Sequence, residues 1–500
     1  MGKYICKLCG YLVDVDNLSN AYVCPMCGAK EFEERDETTS SNALDAIIDS
    51  IVDEALEVRI DKIINDREQD KRVRISDNNH AIGRISEKCI NCGQCKKTCE
   101  NIVNIRYDLN KCKEPICIGC GQCILNCPTG AMIPKYSFRD VKDIINSNEE
   151  IVIALVSPAV RVSIGECFNI EAGVNVENKL VTALKKVGFD YVFDTAFGAD
   201  LTILEEVAEF AARLTNKGPI PQFTSCCPAW VKYVEGKYPE FISNLSTVKS
   251  PNAIMGALVK SYFSQENHIP KEKIVTVGIV PCTAKKFESS RKELMNDGFK
   301  NVDYYLTTTE VSMMIKENKI DFKNIRLSEF DKLMGKASSS GVIFGSTGGV
   351  TESVLRAVSY LNGKSEDKNT CEVIRDTKDF KEVSVSIGSM KLNVLVVYGL
   401  KNAKEVLDKI KNKTVKYDFV EVMSCPMGCV GGAGNKLSNI NKLDEVRDMR
   451  KDLLNLFDSE MIVRNCFQNK EMMKLFNGYL NKERIKNYLH TSFSKKSLTK

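Results

Sequence analysis

Phe419-Val420-Glu421-Val422-Met423 runs without a break into Ser424-Cys425-Pro426-Met427-Gly428-Cys429-Val430-Gly431-Gly432. An apolar run of strand length that ends in a cysteine-bearing turn reads as a buried strand presenting ligands beyond its carboxyl end. Ile274 to Val280 has the same build and leads into Pro281-Cys282-Thr283-Ala284-Lys285-Lys286-Phe287-Glu288. A third cysteine loop is Phe223-Thr224-Ser225-Cys226-Cys227-Pro228-Ala229-Trp230. Ile151 to Val156 is one more strand-like run, and helical patterns cover Leu201 to Leu214 and Ile254 to Phe263. This alternation predicts an α/β domain. The three loops offer five cysteines. Four suffice for one cubane iron–sulfur cluster, and a spare thiol beside a cluster is suited to relaying a proton.

Upstream the cysteines fall into an internal repeat. Cys89, Cys92, Cys95 and Cys99 are spaced x2, x2, x3, and so are Cys117, Cys120, Cys123 and Cys127, the last followed by Pro128. This is the bacterial ferredoxin spacing for two 4Fe-4S clusters, in which the fourth cysteine of each run serves the other cluster. One cluster is thus expected on Cys89, Cys92, Cys95 and Cys127, the other on Cys117, Cys120, Cys123 and Cys99. Glu100 stands where a proline usually follows, and Cys112 is surplus, read as an inert thiol.

At the N-terminus, Cys6-x2-Cys9-Gly10 and Cys24-Pro25-x-Cys27-Gly28 form two knuckles able to enclose one tetrahedral iron or zinc. The segment resembles a shortened rubredoxin. Residues 36–80 read as a helical linker, with Ser40-Ser41-Asn42 ahead of a one-sided apolar stripe through Ala43, Ile47, Ile51 and Leu56.

Composition narrows the function. The 500 residues carry 70 basic and 66 acidic side chains, which gives no field for nucleic acid beyond a short Lys-rich tail after Ser492. No apolar run has the length of a membrane span and no signal region is visible, so a cytoplasmic location is expected. Twenty-one cysteines in Cys-x-x-Cys repeats suit metal ligation in a reducing compartment. Only three histidines are present (His80, His268 and His490).

The three cysteine loops, in this order, resemble the signature of the iron-only (FeFe) hydrogenases, and the resemblance runs from residue 81 to about residue 490. Beside the rubredoxin-like metal knuckle domain at 1–35, it implies an α+β two-cluster ferredoxin-like domain at 81–138 and a large α/β catalytic domain at 139–500, built as two lobes with parallel sheets. It also implies an H-cluster: a cubane on Cys227, Cys282, Cys425 and Cys429, joined to a di-iron subcluster with CO, cyanide and azadithiolate. Lys285 would hydrogen-bond a cyanide. Cys226 would pass protons to the bridge amine, fed by Glu206, Glu209, Arg213 and Ser246. Ser157, Pro158, Pro251, Asn252, Phe344 and Met423 would line the cofactor. Taken alone, the i,i+3 and i,i+4 spacing of Glu206, Glu209 and Arg213 describes a solvated salt-bridged face, and only the resemblance makes it a proton route. The implied reaction is the reversible reduction of protons to hydrogen. Its partners would be ferredoxin or a similar soluble carrier, and the enzymes that mature the di-iron unit.

The sequence departs from the best-known members beside the ligands. Ser157-Pro158-Ala159 replaces Ala-Pro-Ser, Val280 replaces Met, Asn252 replaces Gln, and Pro426-Met427 occupies the third loop, which ends Gly431-Gly432-Ala433-Gly434-Asn435. The pattern is similar to the divergent branch called group B. Altered bias, rate or oxygen response is the expected consequence. The alternative is a hydrogen-sensing or iron–sulfur assembly relative with little turnover. Cys167, Cys371 and Cys466 lack partner spacing and read as structural, with Cys167 the one to watch for redox sensing.

Overall fold

The computed structural model describes residues 2–6, 12–15, 22, 30–34, 71–76, 78–105, 117–332, 335–363, 372–375, 379–436 and 442–496. The linker helix, Cys112 and Cys371 lie outside these residues, as do Cys9, Cys24 and Cys27. At the N-terminus Gly2–Cys6 is the central strand between antiparallel Leu12–Val15 and Phe32–Glu34.

Residues 81–138 show the internal repeat as structure. Each Cys-x2-Cys-x2-Cys run turns through a glycine into a helix: Gly93 (φ 76°) precedes Gln94–Asn101, and Gly121 (φ 73°) precedes Gln122–Leu125. Only glycine takes that left-handed backbone at no steric cost. Strands Ile82–Arg84 and Met132–Pro134 pair antiparallel beside the helices.

The large domain is built on β1 (Ile151–Val156), α1 (Glu177–Val187), β2 (Tyr191–Asp194), α2 (Ala196–Thr215), β3 (Gln222–Phe223), α3 (Pro228–Lys237), α4 (Pro251–Leu258), β4 (Ile274–Val280), β5 (Tyr304–Thr307), α5 (Gly349–Leu361), β6 (Phe380–Ile387), β7 (Met390–Tyr398), β8 (Phe419–Met423) and α6 (Leu443–Glu460). The first sheet has the order β5-β4-β1-β2 and is parallel throughout. Its strands are covered on both faces, which is why they read as unbroken apolar runs: Val152 to Val156 are at most 2% exposed.

The second sheet has the order β6-β7-β8-β3. Here the expectation of parallel sheets needs correction, because β6 pairs antiparallel with β7 while β7, β8 and β3 are parallel. Ile387 pairs Met390 across Gly388 (φ 64°) and Ser389. A two-residue turn closes a hairpin, whereas a parallel partner needs a long crossover. The three runs expected as strands match β1, β4 and β8 residue for residue. The helix expected from Leu201 begins earlier, at Ala196, and the one expected over Ile254–Phe263 is α4 continued by a π-helical turn, Val259–Phe263.

The carboxyl ends of β1 and β4 in one sheet, and of β3 and β8 in the other, carry every loop singled out above. A buried ionic cluster ties α5 to α6. Arg356 bonds Asp458 at 2.7 and 2.8 Å and also pairs with Glu352, while Arg375 and Arg464 bond the same carboxylates. Glu352, Glu372 and Asp458 are grouped closely enough for a metal. Three guanidiniums already neutralise them, so the group is structural.

Candidate active site

Three loops converge on one cavity of about 70 Å³ lined by Ser157, Pro158, Cys226, Pro251, Asn252, Val280, Cys282, Lys285, Phe344 and Cys429, among others. Cys227 and Cys425 stand behind it. Burial pushes the Cys425 thiol up, and neighbouring Cys282, Cys227, Cys120 and Cys429 push it further. Cys282 is raised to about 11 by burial and then by Cys227, and Cys429 is raised by burial, Cys282 and Cys227. Four thiols thus crowd together, and Cys282, Cys425 and Cys429 are each held in the neutral form by burial and by their neighbours. A polynuclear cation supplies the missing charge, so the donor set fits a cubane.

The remaining wall is also shaped for a ligand. The Ser157 hydroxyl lies 3.2 Å from Asn252 Oδ1, while Asn252 Nδ2 is buried at the cavity with no partner. Buried amide donors are seldom left unpaired, and here the missing acceptor belongs to whatever fills the cavity. Lys285 is held at 2.5 Å by Glu288, whose other oxygen accepts from Ser250 at 2.6 Å. Glu288 therefore aims the one cation of the cavity wall. Sequence reasoning quoted it without giving it a role, although its i,i+3 spacing from Lys285 was a visible signal. Met423 is buried at the end of β8 and does not line the cavity.

Cys226 keeps its surface toward the cavity, and burial followed by the nearby Glu206 carboxyl pushes its thiol up. Glu206 is itself 2% exposed, on the face of α2 that spacing alone describes as solvated. Burial, then the Glu209 charge, raise it to about 8, toward its protonated form, and its Oε2 has no hydrogen-bond partner. The Ser246 hydroxyl donates to Glu209 Oε2 at 3.1 Å, and Glu209 pairs with Arg213 at 2.5 Å. Cys226 and the Glu206 carboxyl are thus neighbours at the cavity, and Ser246, Glu209 and Arg213 are hydrogen-bonded to one another behind them. The buried Glu421, next to this series, is raised to about 7 by burial, opposed by bonds from Gly348 and Thr351 at the start of α5.

The double-run cysteines sort into two sets. Cys89, Cys92, Cys95 and Cys127 line a common hollow. Cys120 and Cys123 are raised by burial and by the adjoining Cys99 and Cys117. Cys92 is exposed, whereas Cys120 and Cys123 are buried. The second set abuts the active-site loops: Thr283 Oγ1 donates to Gly119 O at 2.7 Å, and a Cβ on Gly121 would lie 2.5 Å from Ala433.

A two-sheet α/β domain with buried thiol sets at its strand ends is, in class, an iron–sulfur protein. The family model for the C-terminal domain of the iron-only hydrogenase large subunit matches residues 150–433. Iron hydrogenase 1 of Clostridium pasteurianum is 36% identical over 449 residues, which span 85% of this chain and 78% of that protein. An apo FeFe-hydrogenase from Chlamydomonas reinhardtii superposes with a TM-score of 0.63 at 32% identity, covering 72% of this chain and 100% of its own. Cytosolic iron-sulfur assembly component 3 of Pongo abelii is 33% identical over 62% of this chain and 69% of its own length. The chain belongs to the iron-only hydrogenase family, and membership implies an H-cluster with its iron–sulfur cubane. Among the described residues no helix is long and apolar enough to cross a membrane.

Proposed function

We propose that this chain is a working hydrogenase of the ferredoxin-dependent type, joining two protons and two electrons to hydrogen and running in reverse. The observation that carries the reading is the buried Glu206 carboxyl, raised to about 8, beside the spare Cys226 thiol, with the hydrogen-bonded Ser246, Glu209 and Arg213 behind it. A protein that only assembles or carries clusters has no use for a buried, protonated carboxyl behind a spare thiol.

Cys227, Cys282, Cys425 and Cys429 would hold the cubane, and the di-iron unit, once installed by maturation enzymes, supplies the metal at which hydrogen forms. The protein's own groups do the rest. Lys285, aimed by Glu288, presents a cation to an anionic ligand. Asn252 offers its free amide donor from the opposite wall, among Ser157, Pro158, Pro251 and Phe344. Cys226 holds a proton beside the cavity, and Glu206 restores it. Two 4Fe-4S clusters, in a ferredoxin-like domain over residues 81–138, would carry electrons from the exposed Cys92 set to the buried Cys120 set and on to Cys425. A rubredoxin-like iron or zinc on Cys6, Cys9, Cys24 and Cys27 would form a further redox or structural unit. Ferredoxin or a similar soluble carrier in the cytoplasm would be the donor. The departures at Ser157, Ala159, Asn252 and Val280 surround the cavity and are consistent with the group B-like branch.

The test is infrared spectroscopy of anaerobically matured protein, paired with hydrogen evolution from a reduced dye. CO and cyanide bands with turnover that Cys226→Ala abolishes support the proposal. Bands without turnover point to a sensor, and no bands after competent maturation leave an assembly relative.

A further inference from the structure

Arg213 ends the proton series, yet it is a poor source of protons. Its guanidinium stays charged throughout the range in which enzymes work. Its nitrogens are also committed, to Glu209 and to the carbonyls of Pro219, Asn244 and Leu245 at 2.5–3.1 Å. A second line of hydrogen bonds leaves Glu209. Thr247 Oγ1 donates to Glu209 Oε2, the oxygen that Ser246 also reaches, at 3.2 Å. The same hydroxyl lies 2.8 Å from His490 Nδ1, and His490 Nε2 lies 2.9 Å from Glu205 Oε2. The ring is 22% exposed, against 9% for the Glu205 side chain, so it meets solvent where the line ends.

We infer that His490 and Thr247 form a proton-loading branch that joins the main series at Glu209. The inference rests on the hydrogenase reading. In each inward transfer a proton reaches His490 Nε2 from solvent. The Nδ1 proton passes to Thr247 Oγ1, and the hydroxyl proton passes to Glu209 Oε2. One proton enters and one is delivered. Ring and hydroxyl then reset by rotation and tautomer exchange. Running outward, the same bonds release protons made by hydrogen oxidation. Imidazole is the side chain whose ordinary titration spans neutral pH, which the guanidinium of Arg213 does not do.

The fold holds the branch in place. Val248 and His490 form an antiparallel bridge, with Lys249 N donating to Leu489 O at 2.7 Å and Thr491 N to Thr247 O at 2.8 Å. The charged groups about the ring are Glu205 directly and, beyond Thr247, Glu209 with Arg213. Lys249 on the paired segment turns its ammonium to Asn296 and the Asn487 carbonyl instead. Thr247 N also donates to Glu209 at 2.9 Å, so the carboxylate keeps its position when only the hydroxyl is removed.

The test compares His490→Ala, His490→Gln and Thr247→Val in matured holoenzyme. Hydrogen evolution is followed from pH 5.5 to 8.5, and infrared bands confirm cofactor loading. The branch requires a fall of roughly ten-fold in all three variants, an altered pH profile, unchanged CO and cyanide bands, and recovery of His490→Ala by added imidazole. Parental rates and profiles in Thr247→Val, or loss in His490→Ala that imidazole does not restore, overturn it. Glu206→Gln is run alongside. If it retains turnover, the main series fails and the branch with it, while the hydrogenase reading stands; if the parent itself evolves no hydrogen after maturation, the hydrogenase reading fails; if Glu206→Gln is inactive while the three variants are normal, only the branch fails.

Discussion

Replacing Glu206 by glutamine should separate activity from stability in opposite directions. The side chain is nearly isosteric and sits 2% exposed, so shape is kept while the exchangeable proton is lost. General acid–base groups contribute about 10²–10⁴ in rate, and hydrogen evolution should fall by that factor, or ~3–5 kcal/mol of barrier at 1.36 kcal/mol per decade. Stability should rise. In the native protein the carboxyl is raised from 4.5 to about 8, so the folded state holds a proton that the unfolded chain has released. The folded state is therefore penalised as pH rises above about 4.5, and the penalty is complete near pH 8. It amounts to a few kcal/mol, and glutamine removes it. Denaturant titration of the unmatured protein should show parent and Glu206→Gln alike at pH 4.5, with the variant more stable by pH 8.5. Infrared spectra after maturation should keep their CO and cyanide bands. Parental turnover in Glu206→Gln, or a stability difference that does not change with pH, would refute the assignment of Glu206 as a buried, protonated relay.

Cys425→Ala should remove the cubane and all turnover while the clusters on the double-run cysteines persist, which electron paramagnetic resonance of the reduced protein checks. Asn252→Leu removes the orphan donor at the cavity; the CO and cyanide bands of matured protein should shift relative to the parent, and unshifted bands would mean that Nδ2 faces no ligand. Arg356→Met leaves Asp458 and Glu352 short of their shared guanidinium and should cost ~3–5 kcal/mol in denaturant unfolding, with CO and cyanide frequencies unaltered in whatever protein folds.

Strands buried on both faces announce themselves, and β1, β4 and β8 could be bounded from their apolar runs alone. The hairpin β6–β7 could not. Glu382, Ser384 and Ser386 alternate with Val383, Val385 and Ile387 along an edge strand, and nothing in that pattern says whether its neighbour is parallel. The cysteine sets were legible because ligand spacing is a local property: Gly93 and Gly121 turn each run into its helix within a few residues. The proton series was not legible in the same way. Glu206, Glu209 and Arg213 have the spacing of a surface ion-pair stripe, and only packing against the Leu245–Val248 segment and the C-terminal stretch turns that stripe inward. His490 is more than 240 residues from Thr247, so no pattern in the chain links them. Glu288 and Asn252 were in plain view beside recognised motifs, but their roles depend on which partner each oxygen or amide finds after folding.

On the proposed hydrogenase reading, the same geometry would let electrons and protons reach the cavity by separate routes. Cys425, on the β8 loop, feels Cys120, and the Gly119–Gly121 turn packs on Thr283 and Ala433 with no room for a side chain. That contact brings the relay cysteines up to the loops of both sheets. In the proposed hydrogenase, protons would arrive from the other direction in the fold, along α2 and the segment after β3, toward Cys226. Adjacent Cys226 and Cys227 would be where the two meet, one thiol for protons and its neighbour for iron. Pro228 at the start of α3 and the Trp230 indole, bonded to Thr224 O at 3.0 Å, fix the register of that loop. Trp230→Phe keeps an aromatic ring in the core, at the cost of a small void, and frees the loop from that bond. It should slow turnover more than it lowers stability, a difference read by comparing hydrogen evolution with the denaturation midpoint. An equal loss of both would show that the indole serves folding alone.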